Sequence, residues 1–155
     1  MSIFPTDAQS GELLTQAADM ALLAAKSSGR SRVQFITPAI KDKHYRRGVI
    51  VEALPKAIER REIKPAFQPI MSSRTHELKG MEVLARWNHP KIGTISPGEF
   101  IPIAQECGLL SDLDQMITVS ASELASDWLA SNLLDFISLN ASPIELVTRG
   151  YATRL

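Results

Sequence analysis

The sequence predicts an α/β fold with a largely parallel sheet. Short apolar runs of strand length alternate with longer amphipathic segments of helix length after residue 66, which is the pattern of strand and helix units in α/β proteins. The chain has 155 residues, the size of one ordinary domain. Its 45% hydrophobic and 22% charged content is typical of a globular protein with a buried core.

Composition excludes several classes of protein. Seventeen basic and seventeen acidic residues give zero net charge, so charge does not indicate a nucleic-acid polymer as partner. Because Cys107 is the single cysteine, an internal disulfide and a CxxC metal site are excluded. We expect Cys107 to be a small buried residue of a helix. No apolar run approaches the roughly 20 residues that span a bilayer, and no targeting segment is visible. We therefore expect a cytoplasmic protein with no membrane segment in this chain.

The first part of the chain predicts a helix, a strand and a linker. Ser10 is the expected N-cap of a helix that runs to about Ser28, and Gly29 supplies its C-terminal stop. Residues 32–36 are predicted to be a strand. The polar and basic residues 37–47 are predicted to be a linker, with a nucleic-acid patch as the alternative.

The following residues predict a helix and a first sheet strand. Residues 48–61 have a helical apolar stripe, and Pro55 either kinks this helix or starts a new one at its first turn. Residues 66–71 are predicted to be a short strand that carries Gln68, and residues 72–77 a polar turn.

The next strand, residues 81–87, carries a carboxylate and a guanidinium, which are side chains that can bind a metal ion or a phosphate. Apolar and polar residues alternate, so Glu82, Leu84 and Arg86 lie along one face. A carboxylate and a guanidinium inside a parallel sheet are costly unless they meet a metal ion or a phosphate at the open end of the strand. We therefore predict a functional site here. The alternatives are an ion pair between Arg86 and Glu82, and a Gln68 side chain satisfied by the backbone.

The last part of the chain predicts two helices and a short strand. The prolines and glycines of residues 88–98 indicate an irregular loop. Residues 97–106 and 111–130 are predicted to be helices, the second with Ser111 as its N-cap. Residues 136–139 are predicted to be a strand, and local pattern alone explains the following Asn140 as turn chemistry.

Residues 80–110 read GMEVLARWNHPKIGTISPGEFIPIAQECGLL, a run that contains Glu82, Val83 and Leu84. This run closely resembles the signature of EAL domains, the bacterial hydrolases of the second messenger cyclic di-GMP, with valine in place of alanine in the triplet that names the family. The match continues at the family's spacing through Arg86, Trp87, His89, Pro90, Gly93, Pro97, Phe100, Ile101, Pro102, Gly108 and Leu109. So many agreeing positions in one short run seldom arise by chance.

This resemblance implies a fold, a reaction and a site. EAL domains resemble (β/α)8 barrels, so the chain would supply the first three strands of a partial TIM-like barrel. The implied reaction is hydrolysis of cyclic di-GMP to linear pGpG by metal-assisted attack of water, with Mg2+ or Mn2+ as cofactor. By the same resemblance Glu82 and Asn140 would be metal ligands, and Gln68, Leu84 and Arg86 would bind the substrate.

A second set of matching positions lies at the beginning of the chain, at Ala18, Asp19, Ala21, Leu22, Ala25, Lys26, Gly29, Arg30 and Val33. These positions resemble the closing helix and strand of a GGDEF domain, the cyclic di-GMP synthase module. The glycine-rich signature of that module is not in this sequence, so we assign no cyclase activity. The resulting division is a GGDEF remnant at residues 1–37, a linker at 38–47 and a truncated EAL domain at 48–155.

The position at which the chain ends determines which activity we expect. It ends at Leu155, before the later strands that carry the family's remaining carboxylates and catalytic lysine, so this chain holds no complete catalytic set. We expect a fragment of a phosphodiesterase that is inactive by itself. The alternative is a non-catalytic EAL module that binds cyclic di-GMP or another protein. The resemblance also allows a homodimer through the EAL domain of the parent protein.

Overall fold

A computed structural model describes residues 1–27, 29 and 31–140 of the chain. Its internal contacts divide the chain into two compact units, Met1–Ile50 and Val51–Leu155. Within the described residues the protein has four helices and four strands, which confirms the predicted α/β class. No helix in this part of the chain is long and apolar enough to cross a membrane.

The first helix, α1, runs from Gly11 to Ser27 and agrees with the prediction. The Ser10 side chain accepts a hydrogen bond from the Leu13 backbone N–H at 3.3 Å, as an N-cap does. Gly29 follows with a φ of +99°, a left-handed conformation that glycine adopts without strain at the end of a helix.

The predicted strand at residues 32–36 is wrong. These residues make no strand ladder. The amino group of Met1 donates to the Gln34 carbonyl at 2.6 Å, and the Ile36 N–H donates to the Met1 carbonyl at 3.0 Å. Bonds to a single residue do not form a sheet, and two of the apolar side chains that suggested a strand, Val33 and Phe35, are exposed. Ile36 is buried with Ala17 and Ala21 of α1.

The second helix, α2, runs from Pro38 to Glu59 without interruption. It therefore includes most of the segment that we predicted as a linker, and residues 38–47 are helical. Thr37 begins this helix because its hydroxyl accepts a hydrogen bond from the Ile40 N–H at 3.3 Å. Pro55 lies inside the helix and starts no new one. The predicted domain boundaries stay a prediction.

The sheet of the second unit consists of β1 (Ile63–Met71), β2 (Leu78–His89), β3 (Gly93–Ile95) and β4 (Phe136–Ser138). Both β1 and β3 are antiparallel to β2, and only β4 is parallel to it. The prediction of a largely parallel sheet is therefore wrong for the described strands. The turn at residues 72–77 is too short for a crossover, so β1 and β2 form a hairpin.

Two helices lie between β3 and β4 in the chain, α3 (Pro97–Glu106) and α4 (Leu110–Ala130). The Glu99 carboxylate accepts hydrogen bonds from the Ser96 N–H and hydroxyl, both at 3.0 Å, and so fixes the start of α3. The predicted N-cap of α4 is wrong, since the helix begins one residue before Ser111 and its N-cap residue is Leu109. Cys107 is also not the buried residue we expected, because it is exposed at the C-cap of α3.

One face of β2 holds the strand against these helices. Trp87 is fully buried and packs edge-to-face on Phe100 of α3, with ring centroids 5.8 Å apart. Phe67 of β1 packs in the same way on Trp128 of α4, at 5.0 Å. Val83 is buried on this face too. Because side chains alternate along a strand, Glu82 and Arg86 face the other way.

Candidate active site

The strand register places three polar side chains in one row across the sheet. Gln68 of β1 lies opposite Glu82 of β2, and Ser138 of β4 lies opposite Glu82 on the other edge of β2. Residues that are paired across neighbouring strands project from the same face. Ser138 was not predicted as a site residue, because a sequence shows the strand but not the register that sets it beside Glu82.

Leu84 and Arg86 continue this face along β2, as the alternation of the sequence predicted. Leu84 is half-buried and Arg86 is exposed. The Arg86 guanidinium donates to the Ala85 carbonyl at 3.0 Å, and it forms no ion pair with Glu82 among the described residues. The ion-pair alternative is therefore not what the structure shows. Gln68 is exposed, and its side chain makes no hydrogen bond within the described part of the chain, so its backbone-satisfied alternative is not observed either.

Asn140 reaches the same face from the end of β4. Its side-chain Nδ2 donates to Glu82 Oε1 at 3.3 Å, although 58 positions separate the two residues in the chain. Asn140 comes two residues after Ser138, which is paired with Glu82. The parallel pairing of β4 with β2 thus brings the carboxylate and the amide together. The sequence-based expectation that these two side chains converge agrees with this geometry, and their role as metal ligands stays a prediction.

The donor atoms at this point have the chemistry that a hard divalent cation requires. Mg2+ and related ions take oxygen ligands, and Mg2+ keeps several waters while it binds one or two carboxylates. Glu82 supplies a carboxylate, and Asn140 supplies an amide oxygen after a half-turn of its amide group, since the amide O and N are nearly equal in shape. Within residues 1–27, 29 and 31–140, no group of three or more His, Cys, Asp and Glu side chains is arranged to hold a metal. A Glu82 carboxylate oxygen and the Asn140 amide oxygen would supply two of the ligands of a metal site.

A cleft of about 150 Å³ lies beside Asn140 and Leu84, between the sheet and the helices α3 and α4. Most of its lining is apolar, and Asp114 and Thr118 of α4 are among the polar residues. Ligand pockets usually have volumes of about 300–1,000 Å³. The cleft is thus smaller than a usual ligand pocket.

Comparison with known proteins gives a family match and several similar chains. The family model described as EAL domain matches residues 51–155. The bifunctional diguanylate cyclase/cyclic di-GMP phosphodiesterase MucR of Pseudomonas aeruginosa is 28% identical over 151 residues, which is 97% of this chain and 22% of MucR. The cyclic di-GMP phosphodiesterase PdeL of Escherichia coli is 39% identical over 85 residues, which is 55% of this chain and 24% of PdeL.

A solved structure supports the same grouping. The MucR phosphodiesterase in complex with cyclic di-GMP superposes with a TM-score of 0.62 and 29% identity, over 68% of this chain and 43% of that one. This similarity agrees with the mixed α/β fold and its small, mainly antiparallel sheet. The chain spans less than half of each of these three matched chains.

Proposed function

Because this chain belongs to the EAL domain family, as its residues 51–155 show, we propose that it provides the first part of a cyclic di-GMP phosphodiesterase site. In this proposal Glu82 and Asn140 hold Mg2+ or Mn2+, and Gln68, Leu84 and Arg86 bind cyclic di-GMP. The observation that carries it is the contact of 3.3 Å between Asn140 Nδ2 and Glu82 Oε1. The Glu82 carboxylate and the Asn140 amide are far apart in the sequence, and they meet at the position where the resemblance to EAL domains implies metal ligands.

The proposed roles follow from the chemistry of each side chain. EAL phosphodiesterases are in general dependent on divalent metal ions, and such an ion activates water and masks the negative charge of the phosphodiester. Glu82 contributes a negative charge from a half-buried position, where a bound ion is partly shielded from solvent. Arg86 is exposed and is held only by a carbonyl, so its planar fork can turn towards a phosphate or a guanine edge.

The proposal also includes a partial (β/α)8 barrel and a GGDEF segment that precedes it. The chain runs from β2 through α3 and α4 to a parallel β4, which is the type of connection that builds a (β/α)8 barrel. A partial barrel of this kind would need further strands to close. We propose that residues 1–37 are the end of a GGDEF domain, supported by the match to MucR, which covers 97% of this chain. Cytoplasmic location and a homodimer through the EAL domain also stay proposals.

The first prediction concerns activity. We expect the 155-residue chain alone to produce no linear pGpG from cyclic di-GMP in the presence of Mn2+, because the described residues offer two metal-ligating side chains rather than a full set. Chromatography of the reaction products tests this, with an active EAL phosphodiesterase as the positive control. Formation of linear product by the purified chain would refute the prediction. Binding without turnover in a longer protein that includes this chain would favour the alternative, a non-catalytic binding module.

The second prediction separates the nucleotide site from the metal site. We expect Arg86→Ala to weaken cyclic di-GMP binding about 10- to 150-fold, since a hydrogen bond to a charged group contributes about 1.5–3 kcal/mol. Mn2+ affinity should stay unchanged, because Arg86 does not contact Glu82. Calorimetric titration measures both affinities. The matched control is Arg74→Ala, which removes an exposed arginine from the turn at residues 72–77. Equal cyclic di-GMP affinities in the two variants would show that Arg86 does not bind the ligand.

A further inference from the structure

We propose that Gly80 is a positioning residue for the Glu82 and Asn140 site. Its missing side chain lets β4 lie against β2 in the register that carries Asn140 to Glu82. This inference rests on the proposed function of those two residues as metal ligands, and it adds a residue that touches neither the metal nor the substrate.

The structure leaves no room for a side chain at this position. Gly80 is buried, and it is paired with Phe136, the first residue of β4. A Cβ on Gly80 would lie 2.7 Å from the Phe136 carbonyl oxygen and 2.7 Å from the ring carbon Cε2. Real Cβ atoms essentially never approach other heavy atoms below 3.0 Å. The ring could turn away, but the carbonyl oxygen moves only if the strand moves.

Position 80 requires glycine because there is no room for a Cβ atom, and its backbone φ angle does not require glycine. Gly93 and Gly108 have left-handed φ angles of +69° and +70°, which other residues rarely adopt, but Gly80 is not in that region. A substitution at Gly80 therefore acts through the contact with β4. Gly48 of α2 provides the opposite case, because a Cβ there would meet nothing within 4 Å.

The register of β4 depends on very few contacts. Within the part of the chain that the structure describes, β4 pairs with β2 at three positions, where Gly80, Met81 and Glu82 face Phe136, Ile137 and Ser138. One backbone bond precedes them, from the Asp135 N–H to the Lys79 carbonyl at 2.9 Å. The Lys79 and Asp135 side chains also lie 3.7 Å apart, but they are 42% and 65% exposed, and ion pairs at the surface contribute little. A slip of one residue would turn Ser138 and the strand that leads to Asn140 to the other face of the sheet.

The test compares Gly80→Ala with Gly48→Ala in the full 155-residue chain. Mn2+ affinity is the first readout, and hydrogen exchange of the Asp135 amide, which reports the contact between β4 and β2, is the second. We expect Gly80→Ala to weaken Mn2+ binding by about 10- to 100-fold, the range for residues that orient metal ligands, and to speed exchange at Asp135. Gly48→Ala should change neither. Circular dichroism verifies that each variant keeps its helices.

A second pair of variants covers the case in which Gly80→Ala does not fold. Asp135→Pro removes the backbone donor to the Lys79 carbonyl and leaves Gly80 itself unchanged, and Asp135→Ala removes only the exposed side chain. We expect Asp135→Pro to weaken Mn2+ binding and Asp135→Ala to leave it unchanged. If the register of β4 positions Asn140, each of Gly80→Ala and Asp135→Pro that folds loses Mn2+ affinity, and a folded Asp135→Pro variant with unchanged affinity overturns the inference even where Gly80→Ala does not fold.

The outcomes distinguish this inference from the proposed function. If Glu82→Gln loses Mn2+ binding while Gly80→Ala and Asp135→Pro fold and bind Mn2+ like the unmodified chain, the positioning role of Gly80 is overturned and the metal site stands. If Glu82→Gln itself binds Mn2+ normally, the proposed metal site fails and the inference fails with it.

Discussion

Glu82→Gln is expected to weaken Mn2+ binding by more than about 100-fold, beyond the 10- to 100-fold range seen for residues that only orient metal ligands. The change removes the negative charge and keeps the size and shape of the side chain. The new amide oxygen can still accept the hydrogen bond that Asn140 Nδ2 now donates at 3.3 Å, so the two side chains should stay together. The loss would therefore report the carboxylate ligand itself. Titration of Mn2+ followed by the electron paramagnetic resonance signal of the free ion measures the affinity.

The control for this prediction is Glu123→Gln. Glu123 is an exposed carboxylate of α4 that pairs with Arg61 at 3.3 Å, and the substitution changes the net charge by the same amount. We expect it to leave Mn2+ affinity unchanged. Equal affinities for Glu82→Gln and the unmodified chain would contradict the proposed site, and equal losses in both variants would mean that Mn2+ responds to total charge rather than to position 82.

Trp87→Ala is expected to lower the free energy of unfolding by about 3–5 kcal/mol, the usual cost of deleting a large buried aromatic side chain. Trp87 is fully buried in the strand that carries Glu82, and it packs edge-to-face on Phe100 and on His89 at centroid distances of 5.8 and 6.1 Å. Its removal would leave a cavity between β2 and α3. Urea unfolding followed by circular dichroism measures the loss.

Two further variants make the Trp87 prediction specific. The buried Trp87 Nε1 has no hydrogen-bond partner among the described residues. Trp87→Phe removes this unpaired donor and keeps an aromatic ring, so we expect a smaller loss than for Trp87→Ala. Tyr45→Ala removes an aromatic ring that is 65% exposed and should change stability by less than about 0.5 kcal/mol. A Trp87→Ala loss no larger than that of Tyr45→Ala would contradict the packing described for β2.

Local sequence signals predicted most of the elements in this chain. The boundaries of α1 follow from Ser10 and Gly29, which act through contacts within one helical turn. The common face of Glu82 and Arg86 follows from the alternation of side chains along a strand. Such features depend on neighbours in the sequence, so one sequence is enough to predict them.

Features that depend on distant partners were predicted less well. Residues 32–36 have the composition of a strand but find no ladder, and β3 was missed because its three residues lie in a glycine-rich loop. The antiparallel pairing of β1 with β2 could have been deduced, since the turn between them is too short for a crossover. The contact of Asn140 with Glu82 could not be deduced from local pattern, and the family resemblance alone predicted it.

The most direct test of the account is a crystal structure of the chain grown with Mn2+ and examined by anomalous diffraction at the manganese edge. We predict one anomalous peak within about 2.0–2.6 Å of both a Glu82 carboxylate oxygen and the Asn140 side-chain oxygen, the range for divalent ions with oxygen ligands. A peak that contacts only one of these side chains, or no peak between them at saturating Mn2+, would contradict the shared metal site.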